Sequence, residues 1–356
     1  MKELDGWREK IDKLDANLVK LLNKRAGYAQ KIGKAKQATG SPVYLPSREN
    51  AIVKRVKKLG NGPLSPEALE NIFREIFSAT RSVELALSVA SLGPAGSFSH
   101  LAALKYFGSS CSHIHVPGID QVFAEVEKGN ADYGIVPIEN SIEGTVGQTQ
   151  DLLIDSDLKI YAEAYFDIHI NLLSKADRLG DIKTLYTFSV PLAQCRRWVA
   201  QNLPSVEITD TLSSSDAARR ASEEPLSAAI GAAEAGDIYG LNSLAENIEE
   251  IKGNQTRFFI ISRDEAPRSR NDKTSIMFTL DDQSGALYKI IRPFALAGIN
   301  LSKIQSRPMR NSQWEYIFFV DFAGHIKDKK VKEAVKQLEK KAHSVKILGS
   351  YPDARA

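Results

Sequence analysis

From residue 4 to residue 38 the apolar positions recur at helical spacing. Leu4, Trp7, Ile11, Leu14, Leu18 and Leu21 step by three or four. The run predicts one long helix of roughly 50 Å, with its first break at "TGSP", residues 39–42. Gly27 and Gly33 weaken this helix without stopping it. "SRENAIVKRVKKLG" predicts a second helix with Ser47 at its N-cap. "SPEALENIFREIFSATRSVELAL" predicts a third, capped by Ser65 with Pro66 in its first turn. Three such helices, one of them so long, cannot wrap a compact core of their own. This N-terminal, all-helical domain is therefore expected to dimerise.

From Ser88 the pattern changes. "SVASLGPAGSFSH", "HIHVPG", "YGIVPIENS", "TLYTFS", "VEITDT" and "SAAIGA" are short β-rich runs, each followed by a helical stretch. That alternation predicts an open α/β architecture. Ligands of such sheets sit beyond the carboxyl ends of the strands. The polar, glycine-containing stretches "GPAGS", "ENSIEGT", "TLSSSD" and "GNQT" fall in those places. In "GNQTRFFII" (253–261), strand alternation puts Thr256, Phe258 and Ile260 on one face and Arg257, Phe259 and Ile261 on the other. Taken alone, Thr256 reads as an ordinary strand residue. "APRSRNDK" (266–273) reads as a linker, and the segments after it run strand, helix, strand, strand, helix, strand. This is βαββαβ, the ferredoxin-like plan.

Composition adds bounds. A chain of 356 residues is long enough for two or three domains. Its charged, amphipathic start predicts no secretory leader, and no apolar run approaches the ~18 residues of a membrane span. Two cysteines, Cys111 and Cys195, make no disulfide framework, which points to a reducing cytoplasm. They have no metal-ligand spacing, and His113 with His115 makes a poor zinc site, so neither metal nor cofactor is expected. The net charge of +3 hides an asymmetry: residues 1–86 hold 17 Lys and Arg against 10 Asp and Glu. That excess suits a small polyanionic substrate. No aromatic-interleaved basic patch argues for nucleic acid.

Helix geometry sharpens this. Arg25 and Lys36, 11 residues apart, share a helix face to within about 20° and lie roughly 16 Å apart along the axis. Their long side chains can lean inward on one dianion. Arg8 stands about 25 Å from Arg25 on another face. If it serves the same ligand, it comes from a second chain, and the sites are composite.

Residues 1–86 resemble the all-helical chorismate mutase family, through "LDGWREKIDKLDANLVKLLNKRAGYAQKIGKAK", "SREN" and the stretch ending "TRSVE". The resemblance implies substrate-binding roles for Arg8, Arg25, Lys36, Arg48 and Glu49. It gives Thr80 a supporting place and puts Glu84 near the substrate ether oxygen. A Claisen rearrangement of chorismate to prephenate needs a folded dicarboxylate and stabilisation of developing charge. Glu84 helps only when protonated. Leu45 departs from the aspartate often found three residues before the "RE" arginine.

Residues 88–265 resemble prephenate dehydratases, through "GPAGSFS", "VPIENSIEGTV", "LAQC", "AAIGAAEAGDIYGL" and "GNQTRFF" in that order. The resemblance implies a two-lobed fold like that of periplasmic binding proteins. It makes Thr256 the donor to the departing ring hydroxyl, with Glu139 and Asn140 expected to orient it and Gln194 to add a contact. Ser97, Ser141, Thr145, Thr187, Ser213 and Ser214 are candidate hydroxyls for prephenate, with caps and turns as the plain alternative. Arg257 is expected to pair with a carboxylate, the substrate's or a structural one. Phe188 replaces a histidine common in the family.

Through "GAL" (285–287), which opens the first helix, and "NLSKIQSRP" (300–308), residues 273–352 resemble the ACT regulatory domain. The resemblance implies L-phenylalanine bound between paired domains as a feedback inhibitor. The residues concerned are Gly285, Ala286 and Leu287, with Asn300, Leu301, Ser302, Gln305, Ser306 and Arg307; Gln305 replaces a usual glutamate. The combined expectation is a homodimer or homotetramer that takes chorismate to phenylpyruvate. The alternatives are a two-lobed amino-acid sensor, a mutase domain kept only for assembly, and a dehydratase preferring arogenate.

Overall fold

The computed structural model describes residues 2–39, 42, 44–281, 283–308 and 316–355. It divides into two compact units: one runs to Ser88 and includes Leu104–Ser112, and the other holds Val89–Ala103 and the chain from His113 onward.

In the first unit, α1 (Lys2–Thr39) is one continuous helix, as its periodicity predicts. Gly40 and Ser41 of the expected break lie outside the described residues. Helix α2 (Pro46–Leu59) departs from expectation: Leu45 is its N-cap, with no side-chain cap, and Ser47 lies inside. Pro46 explains the earlier start, since its fixed φ is pre-set for the first helical position and its missing N–H is not needed there. Helix α3 (Pro66–Glu84) begins as expected, with Ser65 Oγ accepting from Ala68 N at 3.1 Å. Helix α3 packs on both α1 and α2. Within this chain the stripe of Leu4, Trp7, Ile11, Leu14, Leu18 and Leu21 is more than half exposed at every position.

Past α3 the chain first forms the strands β1 (Ser88–Leu92), β2 (Ser112–Val116), β3 (Tyr133–Asn140), β4 (Gly144–Thr145) and β5 (Lys159–Asp167), with helices α4 (Phe98–Phe107), whose end from Leu104 belongs to the first unit, α5 (Ile119–Glu127) and α6 (Gly147–Asp155) between them. The chain then builds β6 (Asn171–Ser174), β7 (Thr184–Thr187), β8 (Glu207–Asp210), β9 (Ser227–Gly231) and β10 (Asn242–Ala245), with α7 (Ser189–Gln194), α8 (Arg196–Asn202), α9 (Ser214–Glu223) and α10 (Ala233–Tyr239). It returns as β11 (Gln255–Ser262) to the first sheet, whose order is β2-β1-β3-β11-β5 with β4 beside β3. The second sheet runs β10-β6-β9-β7-β8. Two sheets joined by crossing strands make the two lobes.

Strand β11 is antiparallel to both neighbours, pairing Thr256 with Asn140 and Arg257 with Glu139 before a register shift. Its residues are buried on both faces from Thr256 onward, which accounts for the apolar run.

The C-terminal segment forms β12 (Asp272–Thr279), α11 (Ala286–Leu296), β13 (Leu301–Pro308), β14 (Tyr316–Ala323), α12 (Lys329–Glu339) and β15 (Ser344–Pro352), the expected βαββαβ order. Its sheet runs β13-β14-β12-β15. Trp314 and Glu315, expected in its third strand, lie outside the described residues. Ile276, Phe278, Ile290, Phe294 and Phe322 form its core, and β15 packs against β5.

Candidate active sites

The helical unit holds a cleft of about 650 Å3. It gathers Arg25 and Lys36 from α1, Arg48 and Glu49 from α2, and Thr80 and Glu84 from α3. Leu45 lines it as well. Arg8 does not: it is exposed and pairs with Asp5 at 3.4 Å. Seventeen residues along a straight helix keep it from this cleft.

Arg25 donates to Thr80 Oγ1 at 2.6 Å, so Thr80 steadies the cation from the side. Gly33 matters here, because a Cβ at that position would come within 3.1 Å of Glu84 Cβ. Its absence lets α1 and α3 approach, with the stem of the Glu84 side chain against Gly33. Burial raises the Glu84 pKa above the ordinary carboxylate value, against the pull of Lys36 and Arg25.

Two cations of this cleft were not singled out by the sequence reading, Arg55 and Arg81. Arg81 is buried, forms an ion pair with Glu49, donates to Phe107 O and lies over the Tyr44 ring. Glu49 is therefore already paired, and Arg81 holds it in place. The excess of basic residues signalled cations in general. Nothing in "TRSVE" distinguished Arg81 from a solvated helix residue.

The second constellation lies where the two lobes of the α/β unit meet. Asn140 at the end of β3 donates from Nδ2 to Thr256 Oγ1 at 2.9 Å and to Asn254 Oδ1 at 2.7 Å. Its Oδ1 accepts from the backbone N–H groups of Ile142 and Glu143, both at 2.9 Å. Asn254 Nδ2 donates to Gln194 Oε1 at 2.9 Å, and Gln194 Nε2 donates to Glu143 Oε1 at 3.1 Å. Thr256 Oγ1 thus receives a hydrogen bond, which leaves its own proton available for a ligand. The cluster is neutral apart from Glu143.

Glu139 is not in it. The pairing of Arg257 with Glu139 turns that carboxylate to the other face of β3, where it accepts from Lys303 Nζ at 2.9 Å. Arg257 itself is a correction to the expected substrate contact. Strand alternation aims it away from Thr256, and its guanidinium is taken up by Glu163 (2.7 Å), Asp321 (2.7 Å) and Tyr351 Oη (3.1 Å). Of the two expected carboxylates, the structural one is present. Lys273 joins the same buried network at 2.7 Å from Glu163.

Several hydroxyl candidates have local duties. Ser97 Oγ donates to Leu92 O and accepts from His100 N. Ser213 caps α9 by accepting from Asp216 N at 3.0 Å, with Ser214 next to it and buried. Ser141 Oγ accepts from Gln255 N, and Thr187 Oγ1 donates to Phe188 O. Thr145 Oγ1 donates to Gln305 Oε1 at 2.7 Å. The "GPAGS" loop reaches the second lobe: Tyr239 Oη donates to Ala95 O, and a Cβ on Gly96, whose φ is +83°, would meet Ala235 and Ser215. Ser215 was not anticipated. Its buried Oγ has no hydrogen-bond partner among the described residues.

The expected effector residues separate into two faces. Lys303, Gln305 and Arg307 alternate along β13 and face the dehydratase-like lobe, where Gln305 meets Thr145 and Gln150, and Arg307 pairs with Asp151. Gln305 and Arg307 are thereby turned away from the face that carries Ser302 and Ser306, which are exposed. Leu301 packs against the core and Ala323 N donates to Asn300 O. Gly285, at φ +77°, starts α11 with no side-chain cap ahead of Ala286 and Leu287.

His113 and His115 share a face of β2, and His100 packs edge-on to both rings, with centroids 5.5 and 4.4 Å away. Burial pushes the His100 imidazole down to about 4. Among the described residues no group of three or more His, Cys, Asp or Glu could hold a metal ion, and no helix is long and apolar enough to cross a membrane.

Comparison with known proteins bears on all three segments. The chorismate mutase type II family matches residues 7–85, prephenate dehydratase residues 89–266 and the ACT domain residues 274–340. A bifunctional chorismate mutase/prephenate dehydratase of Aquifex aeolicus is 42% identical over 99% of this chain and 99% of its own. Among solved structures, a prephenate dehydratase from Arthrobacter aurescens in complex with L-Phe is 34% identical. It covers 76% of this chain and 91% of its own, with a TM-score of 0.69. A protein described as a novel type of quorum quenching acylase is 27% identical over 75% of this chain and 98% of its own, with a TM-score of 0.68. The α/β architecture therefore hosts more than one chemistry, and the side chains must decide.

Proposed function

The chain belongs to the bifunctional chorismate mutase/prephenate dehydratase family, and we propose the residue roles by which its two sites act in sequence. The helical cleft rearranges chorismate to prephenate. Arg25, Lys36 and Arg48 bind the two carboxylates and hold the side chain over the ring, a matter of positioning rather than covalent chemistry. Glu84, protonated, donates to the ether oxygen as its bond breaks. The exposed apolar stripe of α1 is the surface on which a second copy packs, and that copy supplies Arg8.

The α/β cleft converts prephenate to phenylpyruvate. The bond to the ring carboxylate breaks and its electron pair enters the ring, while the ring hydroxyl leaves with its own pair. Thr256 supplies the proton to that hydroxyl and regains one from solvent, so carbon dioxide and water depart. Asn140 holds Thr256 as a donor. The direction of that hydrogen bond is the observation that carries the assignment. Ser141 just after β3, Thr187 at the end of β7, and Ser213 and Ser214 at the start of α9 are the candidate carboxylate contacts.

L-phenylalanine binds the C-terminal domain between α11 and the exposed face of β13, and inhibits. The two free cysteines support a cytoplasmic setting. A coupled assay following phenylpyruvate absorbance in alkali tests the reading. Chorismate is converted by the unmodified chain, whereas Thr256→Ala accumulates prephenate. Phenylpyruvate formation by Thr256→Ala at the unmodified rate would overturn it. Arogenate run in parallel measures substrate preference.

A further inference from the structure

Asn254 has no role in the scheme above, yet it is 2% exposed and sits in the middle of the amide cluster. The hydrogen-bond directions there are fixed from both ends. At one end the backbone N–H groups of Ile142 and Glu143 can only donate, so Asn140 must present its oxygen to them and its NH2 to Asn254 and Thr256. At the other end the Glu143 carboxylate, when ionised, can only accept. Gln194 must then turn its NH2 to Glu143 and its oxygen to Asn254. Asn254 alone has to accept from one lobe and donate to the other. Aspartate cannot do both when ionised, and alanine can do neither. Gln194 belongs to α7, attached to the second sheet, whereas Thr256 lies on the first.

We propose that Asn254 is a positioning residue for the dehydration step, an amide switchpoint that links the lobe carrying Gln194 to the hydrogen-bond direction of Thr256. It touches no reacting atom. The backbone fixes which way Asn140 faces; Asn254 accepts from the Asn140 NH2 and ties it to Gln194, and thereby holds that NH2 in place on Thr256 so that the Thr256 proton stays aimed at the departing hydroxyl. This rests on the reading of Thr256 as the donor.

The test is steady-state prephenate dehydration by Asn254→Asp between pH 5 and 8, with mutase turnover of the same chain as the control for folding. A carboxylate introduced there accepts from Asn140, but it also turns Gln194 around and sets an oxygen against Glu143. At pH 8 kcat falls at least ~30-fold with KM within ~3-fold. Activity returns on acidification, because a buried carboxyl has a raised pKa and regains a donor proton. The unmodified dehydratase shows no such acid recovery. Wild-type kcat at pH 8, or an equal loss at every pH with mutase turnover intact, overturns the proposal; the second result assigns Asn254 a merely structural role. If mutase turnover is lost too, Gln194→Met carries the test. It must lower kcat without raising KM, and a rise in KM alone overturns the proposal. Thr256→Ala, assayed alongside, separates the two readings: if that variant dehydrates normally, the donor assignment itself has failed.

Discussion

The two sites solve the problem of a doubly anionic ring in opposite ways. The helical cleft is built from full charges, with Arg25, Lys36, Arg48, Arg55 and Arg81 set around Glu49 and Glu84. The α/β site is built from neutral amides and one hydroxyl, Gln194, Asn254, Asn140 and Thr256, while the nearby guanidinium of Arg257 is spent on structure. The difference follows from the chemistry. A rearrangement that loses no atoms gains from charges that fold the substrate and balance a developing oxyanion. A step that expels hydroxide gains from a donor with a defined direction, and direction comes from hydrogen bonds fixed at both ends. The sites also differ in completeness. The amide cluster is closed within one chain, whereas Arg8 lies outside the cationic cleft and the apolar face of α1 is exposed.

The largest effect that sharpens this contrast is on Thr256. Thr256→Ala should lower dehydration by about 10²–10⁴-fold, the usual worth of a positioned acid, with mutase turnover unchanged in the same preparation. Arg257→Met comes next and acts on stability. It leaves Asp321 buried without its cation and Glu163 with Lys273 alone, and should destabilise the α/β unit by about 3–5 kcal/mol; chemical denaturation followed by dehydratase activity measures this. If prephenate KM rises while stability holds, Arg257 belongs to substrate after all.

Lys303→Met breaks the bond between the effector strand and Glu139. It should weaken inhibition by phenylalanine about five-fold, read as a shift in the inhibition midpoint. An unchanged midpoint would mean that the signal leaves β13 by another route.

The smallest effect is a pH dependence confined to the charged cleft. Because burial raises the Glu84 pKa, the fraction protonated, and with it mutase kcat, should climb as pH falls from 8 to 5. Glu84→Gln should flatten that profile. The sign for stability agrees: a carboxyl whose folded-state pKa is raised contributes stability below its unfolded value, and loses it as pH rises through the folded one.

Much of this was legible in the sequence where one physical cause dominates. The spacing of Leu4 to Leu21 gave the long helix, and the arithmetic of 11 and 17 residues separated Arg8 from Arg25 and Lys36. The βαββαβ order was readable from alternating apolar runs. What escaped depended on neighbours distant in the chain. Alternation put Thr256 and Arg257 on opposite faces, but only the strand register shows that Arg257 meets Glu163 and that Glu139 goes with Lys303. Asn254 was only one polar residue of the stretch "GNQT", because an amide's role depends on which partners already donate to it. Ser47 was displaced as a cap by the proline before it, a competition between two legitimate helix starts.

The contrast itself is tested most directly by subunit mixing. In a 1:1 co-expression of Arg8→Ala with Lys36→Ala chains, each verified heterodimer has one intact cationic cleft, so mutase turnover should recover to about a quarter of the unmodified level. In the matching experiment with Thr256→Ala and Asn140→Ala chains, dehydration should stay at the level of the parents, since both residues serve one cluster in one chain. No mutase recovery in a verified heterodimer, or restored dehydration in the second mixture, would contradict the account.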